Sequence, residues 1–145
     1  MNYVKSCGFI PYVRKDNENF YLLIKSINGD VGFPKGHMES GESELETAIR
    51  ELKEETNLEV KLISGFRCQI EYKLPRLNDT VKQSVYFLGE CLTEEVVCQK
   101  TEVSEANFLP YEDALELLTF EDTKKILREA EAFLDSLLEN RADNL

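Results

Sequence analysis

Three glutamates, Glu51, Glu54 and Glu55, stand at i, i+3 and i+4 in a segment, Glu42 to Thr56, that reads as a helix. At about 100° per residue, Glu51, Glu55 and Glu44 fall along one border of an apolar stripe centred near Leu45 and Leu52, with Glu54 one step further round. Carboxylates at these spacings repel by roughly 0.2–0.5 kcal/mol per pair on an exposed helix, and by more where a core edge lowers the dielectric. Lys53 points to the far side, and Arg50, beside Glu54, is the only basic neighbour on the wheel. A divalent cation is the natural further partner. Hard Mg²⁺ or Mn²⁺ suits carboxylate, water and phosphate oxygens. A glutamate run taken alone is more often a solvated helix face, so the flanking residues carry the decision.

The elements that must hold these glutamates can be read from patterning. Cys7 to Val13 and Phe20 to Ser26 are β-prone runs joined by the polar Arg14 to Asn19, which predicts a hairpin with a longer connection. Ile27-Asn28-Gly29-Asp30 ends the second strand, and a loop with Gly32, Pro34, Gly36 and Gly41 leads into the glutamate helix. In that helix Leu45, Ala48, Ile49 and Leu52 repeat at i, i+3, i+4 and i+7. Ser43 with Glu46 predicts a capping box at its start, and Asn57 a left-handed ending. Strands are predicted over Glu59 to Leu74, Val81 to Cys91 and Asn107 to Leu109, with a turn at Pro75 to Asp79. Tyr111 to Leu117 predicts a short helix. Thr119 is the expected cap of a longer one whose stripe is Ile126, Leu127, Ala130, Phe133, Leu134, Leu137 and Leu138. Asn140 to Leu145 reads as a polar tail.

Bulk properties limit the function classes. A chain of 145 residues, 42% hydrophobic and 10% aromatic, closes one core, so one domain spanning residues 1–145 is expected. No run approaches the ~18–20 apolar residues of a membrane helix, and Met1-Asn2-Tyr3-Val4-Lys5 lacks the apolar run of a secretory signal. A cytoplasmic location without membrane attachment is therefore expected. Seventeen basic against twenty-eight acidic residues leave a net charge of −11, which opposes non-specific association with nucleic acid or anionic lipid. An anionic substrate needs local help, such as bound cations. Cys7, Cys68, Cys91 and Cys98 form no C-x-x-C pair and meet a single histidine, so reduced thiols are expected, without disulfides or a zinc site.

The flanking residues add a specific pattern. Gly36-x5-Glu42-x7-Arg50-Glu51-Leu52-Lys53-Glu54-Glu55-Thr56-Asn57-Leu58 resembles the box of the Nudix hydrolases, G-x5-E-x7-R-E-U-x-E-E-x-G-U with U apolar, over 23 residues. The one departure is Asn57 in place of glycine, and asparagine is the non-glycine residue most tolerant of positive φ. The resemblance implies an α/β fold, an α/β/α sandwich with a central mixed sheet, and hydrolysis of a phosphoanhydride bond with Mg²⁺ or Mn²⁺. It further implies metal ligation by Glu51, Glu54, Glu55 and the Gly36 carbonyl. Arg50 orients a glutamate by salt bridge, and Glu42 is a structural partner in the box rather than a ligand. Ligand and base remain alternative roles for Glu51.

Around the box, Ser6-Cys7-Gly8-Phe9-Ile10, Phe33-Pro34-Lys35-Gly36-His37-Met38-Glu39, Gly41-Glu42 and Leu45-Glu46-Thr47-Ala48 resemble the asymmetrical diadenosine tetraphosphate hydrolase branch of that family. The likeness continues through Gly65-Phe66-Arg67, Tyr72 and Val85-Tyr86-Phe87-Leu88. It implies a nucleoside polyphosphate as the small-molecule partner, cleaved by water attack on phosphorus. Lys35 then contacts phosphate, with His37 on the same loop as a second contact or as a solvent-facing side chain. Tyr72 matches a base-stacking position, against the alternative of simple packing, and Lys82 a basic residue reaching phosphate. Glu102 falls where the branch places a further acid, as a metal ligand or the base, or else as one more surface glutamate of an acidic chain. The rivals within the enzyme class are general nucleoside triphosphate and RNA 5′-pyrophosphohydrolases, with diphosphoinositol polyphosphate hydrolysis last because the chain has no Lys/Arg cluster. A nucleotide-sensing module without catalysis and an acidic docking helix are the readings from other classes.

Overall fold

The computed structural model describes residues 2–74, 79–98, 101 and 103–143, with only the backbone for 141–143. Strands β1 (Asn2–Lys15) and β2 (Glu18–Ser26) form the predicted hairpin, but the connection is only two residues long. Asp16 and Asn17 take φ of 52° and 63°, and Lys15 pairs with Glu18. Positive φ at both central residues marks the tight hairpin turn whose twist matches the strands, and Asp and Asn tolerate it best after glycine. The polar run from Arg14 to Asn19 is therefore mostly strand.

From β1 the sheet grows in both senses. Its C-terminal end pairs antiparallel with β2, while Asn2 to Tyr12 run parallel to Thr80 to Glu90 of β6 (Thr80–Cys91). β5 (Val60–Leu74) pairs antiparallel with β6, and β7 (Val103–Pro110) with β2. Two short strands within the glycine-rich loop, β3 (Val31–Gly32) and β4 (Lys35–His37), pair with β2 and β1. Among the described residues this makes a mixed sheet of seven strands, five of them in the path β3-β2-β1-β6-β5, with β4 paired to β1 and β7 to β2 off that path. Because β1 lies inside the sheet, every residue from Ser6 to Val13 is buried, the continuous run expected of a strand covered on both faces.

The two faces separate by strand parity. Helix α1 (Glu44–Thr56) packs Ala48 and Leu52 against Cys7, Phe9, Leu22 and Val85. Helices α2 (Tyr111–Leu117) and α3 (Glu121–Asp143) cover the other face, where Ile126, Leu127, Ala130 and Leu134 meet Ile10, Tyr12, Tyr21 and Tyr86. This is the α/β/α sandwich with a mixed sheet that the box implied. Burying a side chain of the Leu or Ile class stabilises by about 1.5–3 kcal/mol, so both clusters fix their helices firmly.

Four further details differ from the sequence reading. Ile49, counted in the apolar stripe, is 51% exposed, because the contacts of the helix with the sheet run through Leu45, Ala48 and Leu52. Thr119 does not cap α3: its hydroxyl accepts from the Val31 N–H at 2.7 Å and its own N–H donates to the Val31 carbonyl at 3.1 Å, clasping the α2–α3 connection to β3. The helix α3 continues through Asn140 to Asp143, within the stretch expected as a polar tail, where Arg141 and Ala142 favour helix. β7 extends to Val103 because β2 offers it a partner along that length. The four cysteines are free. No helix among the described residues is long and apolar enough to cross a membrane.

Candidate active site

The glutamate helix begins with the predicted capping box: Ser43 Oγ accepts from the Glu46 N–H at 3.1 Å, and the Glu46 carboxylate accepts from the Ser43 N–H at 2.9 Å. Asn57 ends it at φ 61°, ψ 18°, with its N–H on the Lys53 carbonyl. Both ends are thus fixed locally, which sets the rotation of the helix and the direction of its carboxylates. Glycine sets the distance to the strand layer. A Cβ on Gly8 would strike the Pro34 carbonyl, and one on Gly36 would land on the Glu51 carboxylate. Only glycine lets β4 lie this close to β1 and to α1.

Arg50 organises the acid cluster. Its Nε and Nη2 donate to the two oxygens of Glu42 at 2.7 and 3.0 Å, its Nη1 to Glu51 at 2.9 Å and Glu54 at 3.2 Å, and Nη2 to the His37 carbonyl at 3.0 Å. Planar guanidinium suits such a fork, and a lysine could not reproduce it. Glu42 also accepts from the Glu39 N–H and the Thr47 hydroxyl, each at 2.9 Å. The Arg50 hydrogen bonds first, then the Glu39 N–H, hold the Glu42 carboxyl down at about 2. Both Glu42 oxygens are thus engaged by Arg50, and the carboxylate fixes the guanidinium against the start of the helix.

Glu51 and Glu55 are buried, and the Glu54 side chain is half exposed. Among the described residues no three His, Cys, Asp or Glu side chains already stand at metal-holding positions. The contacts give a reason: Arg50 draws Glu51 and Glu54 to itself, whereas Glu55 lines the cleft beyond. The donor set suits a hard cation nevertheless. It offers carboxylate oxygens and a glycine carbonyl with no thiol or imidazole among them, and Gly36 leaves room for Glu51 where any other residue would fill it.

On the other side of β4 a cleft of about 360 Å³ opens, lined by Lys35, Glu55, Tyr72, Lys82, Tyr86 and Phe120 among others. Lys35 Nζ donates to Ser84 Oγ at 3.3 Å. Burial, and then the charge of Lys82, lower its ammonium to about 8, against the opposing pull of Glu55. Tyr72 and Lys82 are cross-strand partners on β5 and β6, and the Lys82 ammonium sits 6.0 Å from the Tyr72 ring centroid. Tyr72 as a whole is 41% exposed and lines the cleft.

The structure thus brings Lys35, Tyr72, Lys82 and Glu55 to one cleft, and gathers Arg50, Glu51 and Glu54 into one cluster with Glu51 against Gly36. His37 is not brought in: its side chain is exposed and its contribution is the carbonyl that holds Arg50. Glu102 lies outside the described residues. Sequence reasoning missed Phe120, an aromatic 55% exposed at the cleft wall between α2 and α3. Glu44, which the helical wheel sets beside Glu51 and Glu55, binds Arg67 at 2.9 and 2.8 Å and Lys5 at 2.9 Å, so it belongs to the frame and not to the acid cluster. Phe120 carries one usable signal, a large apolar side chain outside the stripe of α3.

A profile of the NUDIX domain family matches residues 7–130. The chain belongs to the Nudix family. This Nudix hydrolase is 33% identical to the asymmetrical bis(5′-nucleosyl)-tetraphosphatase of Sus scrofa over 146 residues, covering 92% of the chain and 97% of that protein. The Mus musculus protein of the same name is 33% identical over 145 residues with the same coverage. Among solved structures, a C. elegans Ap4A hydrolase binary complex superposes with a TM-score of 0.83 at 25% identity, covering 92% of this chain and 98% of that one. The capped helix, the Arg50 fork and the glycine approach are therefore the Nudix hydrolase's own box, built here from Gly36 to Leu58.

Proposed function

We propose that this Nudix hydrolase cleaves diadenosine tetraphosphate to AMP and ATP with Mg²⁺ or Mn²⁺, water attacking one phosphorus as a bridging P–O bond breaks. The observation that carries the reading is the cleft itself, in which two lysines and two exposed aromatic rings face a buried carboxylate across the glycine border of the acid helix. Lys35 and Lys82 supply the positive charge that a polyphosphate requires in a chain of net charge −11. Tyr72 and Phe120 offer flat apolar faces to a nucleobase, each stacked base contributing about 1–3 kcal/mol. The names of the Sus scrofa and Mus musculus relatives support the same substrate class.

Glu51, Glu54, Glu55 and the Gly36 carbonyl are the groups that would hold the metal. A bound divalent ion supplies charge neutralisation on the phosphate oxygens and acidifies water. Arg50 keeps Glu51 aimed across Gly36, and Glu42 keeps Arg50 in place. Lys35, held by Ser84, orients the phosphate chain toward that border. Either Glu51 or Glu102 takes the proton from water in this scheme.

The test is product analysis with Mg²⁺ on diadenosine tetraphosphate, ATP, 8-oxo-dGTP and a 5′-triphosphorylated RNA in parallel. AMP plus ATP from the dinucleotide, at far higher kcat/KM than for the others, is expected. Preference for a mononucleotide or RNA replaces the substrate but keeps the mechanism. Absence of turnover on all four, with nucleotide binding retained, replaces the enzyme with a nucleotide sensor.

A further inference from the structure

The sheet ends at β5, and among the described residues no strand pairs with its outer edge. Fifteen residues long, this strand presents a row of backbone N–H and C=O groups suited to another strand. Beside the edge runs an open trough of about 430 Å³, lined in part by Arg67, Cys68, Gln69, Glu71, Lys125 and Glu129. Along this stretch Arg67, Gln69, Glu71 and Lys73 are exposed on one face of the strand, while Cys68 and Ile70 are half-buried on the other. Glu71 accepts from the side-chain amides of Gln69 at 2.8 Å and Gln83 at 2.7 Å, yet makes no ion pair among the described residues. Arg67 binds Glu44 and Gln69 through Nε and Nη2, which leaves Nη1 outside these contacts.

We propose that this edge is a self-association surface, pairing antiparallel with the β5 edge of a second copy of the chain about a twofold axis at Gln69. In that register Arg67 stands opposite Glu71 of the second copy, and Glu71 opposite its Arg67. Gln69 meets Gln69, Cys68 meets Ile70, and Phe66 meets Tyr72, so each face pairs like with like and charge with opposite charge. Lys73 meets Gly65, which has no side chain to oppose it. The neighbouring registers are worse. An axis at Ile70 sets Arg67 against Lys73, and an axis at Cys68 gives up both ion pairs. The interface is small: one strand pairing reaches at most the low end of the roughly 1,200–2,000 Å² of stable complexes. Each copy also carries a net charge of −11, so the dimer is weak and concentration-dependent.

Sedimentation velocity over a range of about 5–500 µM tests this, with the mass expected to rise from 16.7 kDa toward twice that value. Glu71→Arg places Arg opposite Arg, and Arg67→Glu places Glu opposite Glu, so each variant alone associates at least ~10-fold more weakly. Mixed in equal amounts the two variants restore the dimer, because every cross-copy pair is again of opposite sign. Ile70→Cys gives an independent reading of register. It sets the introduced thiol opposite the native Cys68 of the other copy, and mild copper-phenanthroline oxidation of the two thiols forms an intermolecular disulfide. A chain monomeric up to about 500 µM, which would leave the edge to a foreign strand, overturns the proposal. So does a dimer indifferent to both charge reversals, or an Ile70→Cys protein that gives no crosslinked dimer while the wild type dimerises.

Discussion

Replacing Gly36 by alanine adds one methyl group and should disable the acid cluster. The new Cβ would fall on the Glu51 carboxylate, with its carbon and both oxygens well inside van der Waals contact. Glu51 cannot simply rotate away, because it is buried and held at 2.9 Å by Arg50, whose remaining donors are committed to Glu42, Glu54 and the His37 carbonyl. The carboxylate or the β4 backbone must therefore move by more than ~1 Å, and a displacement of that size costs about 10²-fold in rate. That corresponds to about 2.7 kcal/mol of transition-state stabilisation. Overpacking of this kind lowers stability by about 1–3 kcal/mol. Gly32→Ala is the matched control, since a Cβ there meets nothing within 4 Å. Urea unfolding monitored by circular dichroism gives stability, and chromatographic product assays give kcat/KM. Turnover within about threefold of wild type in a folded Gly36→Ala protein would refute the close approach of Gly36 to Glu51 as the determinant.

Other perturbations follow from the same contacts. Arg50→Lys keeps the charge but loses the fork, so stability should fall by about 1–3 kcal/mol in urea unfolding and turnover by at least tenfold. Asn57→Gly removes the left-handed penalty at φ 61° and should raise the unfolding free energy by up to about 1 kcal/mol, without changing turnover. The Arg67 guanidinium, assisted by Lys5, holds the Glu44 carboxyl down at about 2, below its ordinary value of 4.5. Its folded form is thus depressed, and the stability it confers is full above about pH 4.5 and lost as pH falls toward 2. Glu44→Gln should flatten that part of the acid unfolding curve by about 1–2 kcal/mol once solvent screening of the pair is allowed for.

The acid helix was the most legible part of the chain because its information is local. Ser43 with Glu46, the Leu45–Ala48–Leu52 stripe and Asn57 lie within one segment, and each does what its chemistry requires there. Strand limits were less legible, since the length of β1 is set by β6, some eighty residues away in sequence, and that of β7 by β2. Thr119 has the side chain of a helix cap, but a β3 backbone stands nearer, and the hydroxyl goes to it. His37 alternates with Gly36 along β4, so once the glycine is pressed against Glu51 the imidazole is left outside. Lys35, Tyr72 and Lys82 were found through the family pattern, whereas Phe120 has no periodicity or motif around it and enters the cleft only through the α2–α3 connection. Glu102 lies outside the described residues.

The most direct test of the account is the turnover of diadenosine tetraphosphate by the Glu54→Gln and Glu55→Gln proteins, with unfolding curves and nucleotide affinity measured on the same samples. Each change is isosteric and removes one negative charge beside the cleft. Folding and base binding should persist while kcat falls at least ~10²-fold, a loss of about 2.7 kcal/mol in the transition state. Near-wild-type turnover in both proteins would contradict the assignment of these glutamates to the chemistry.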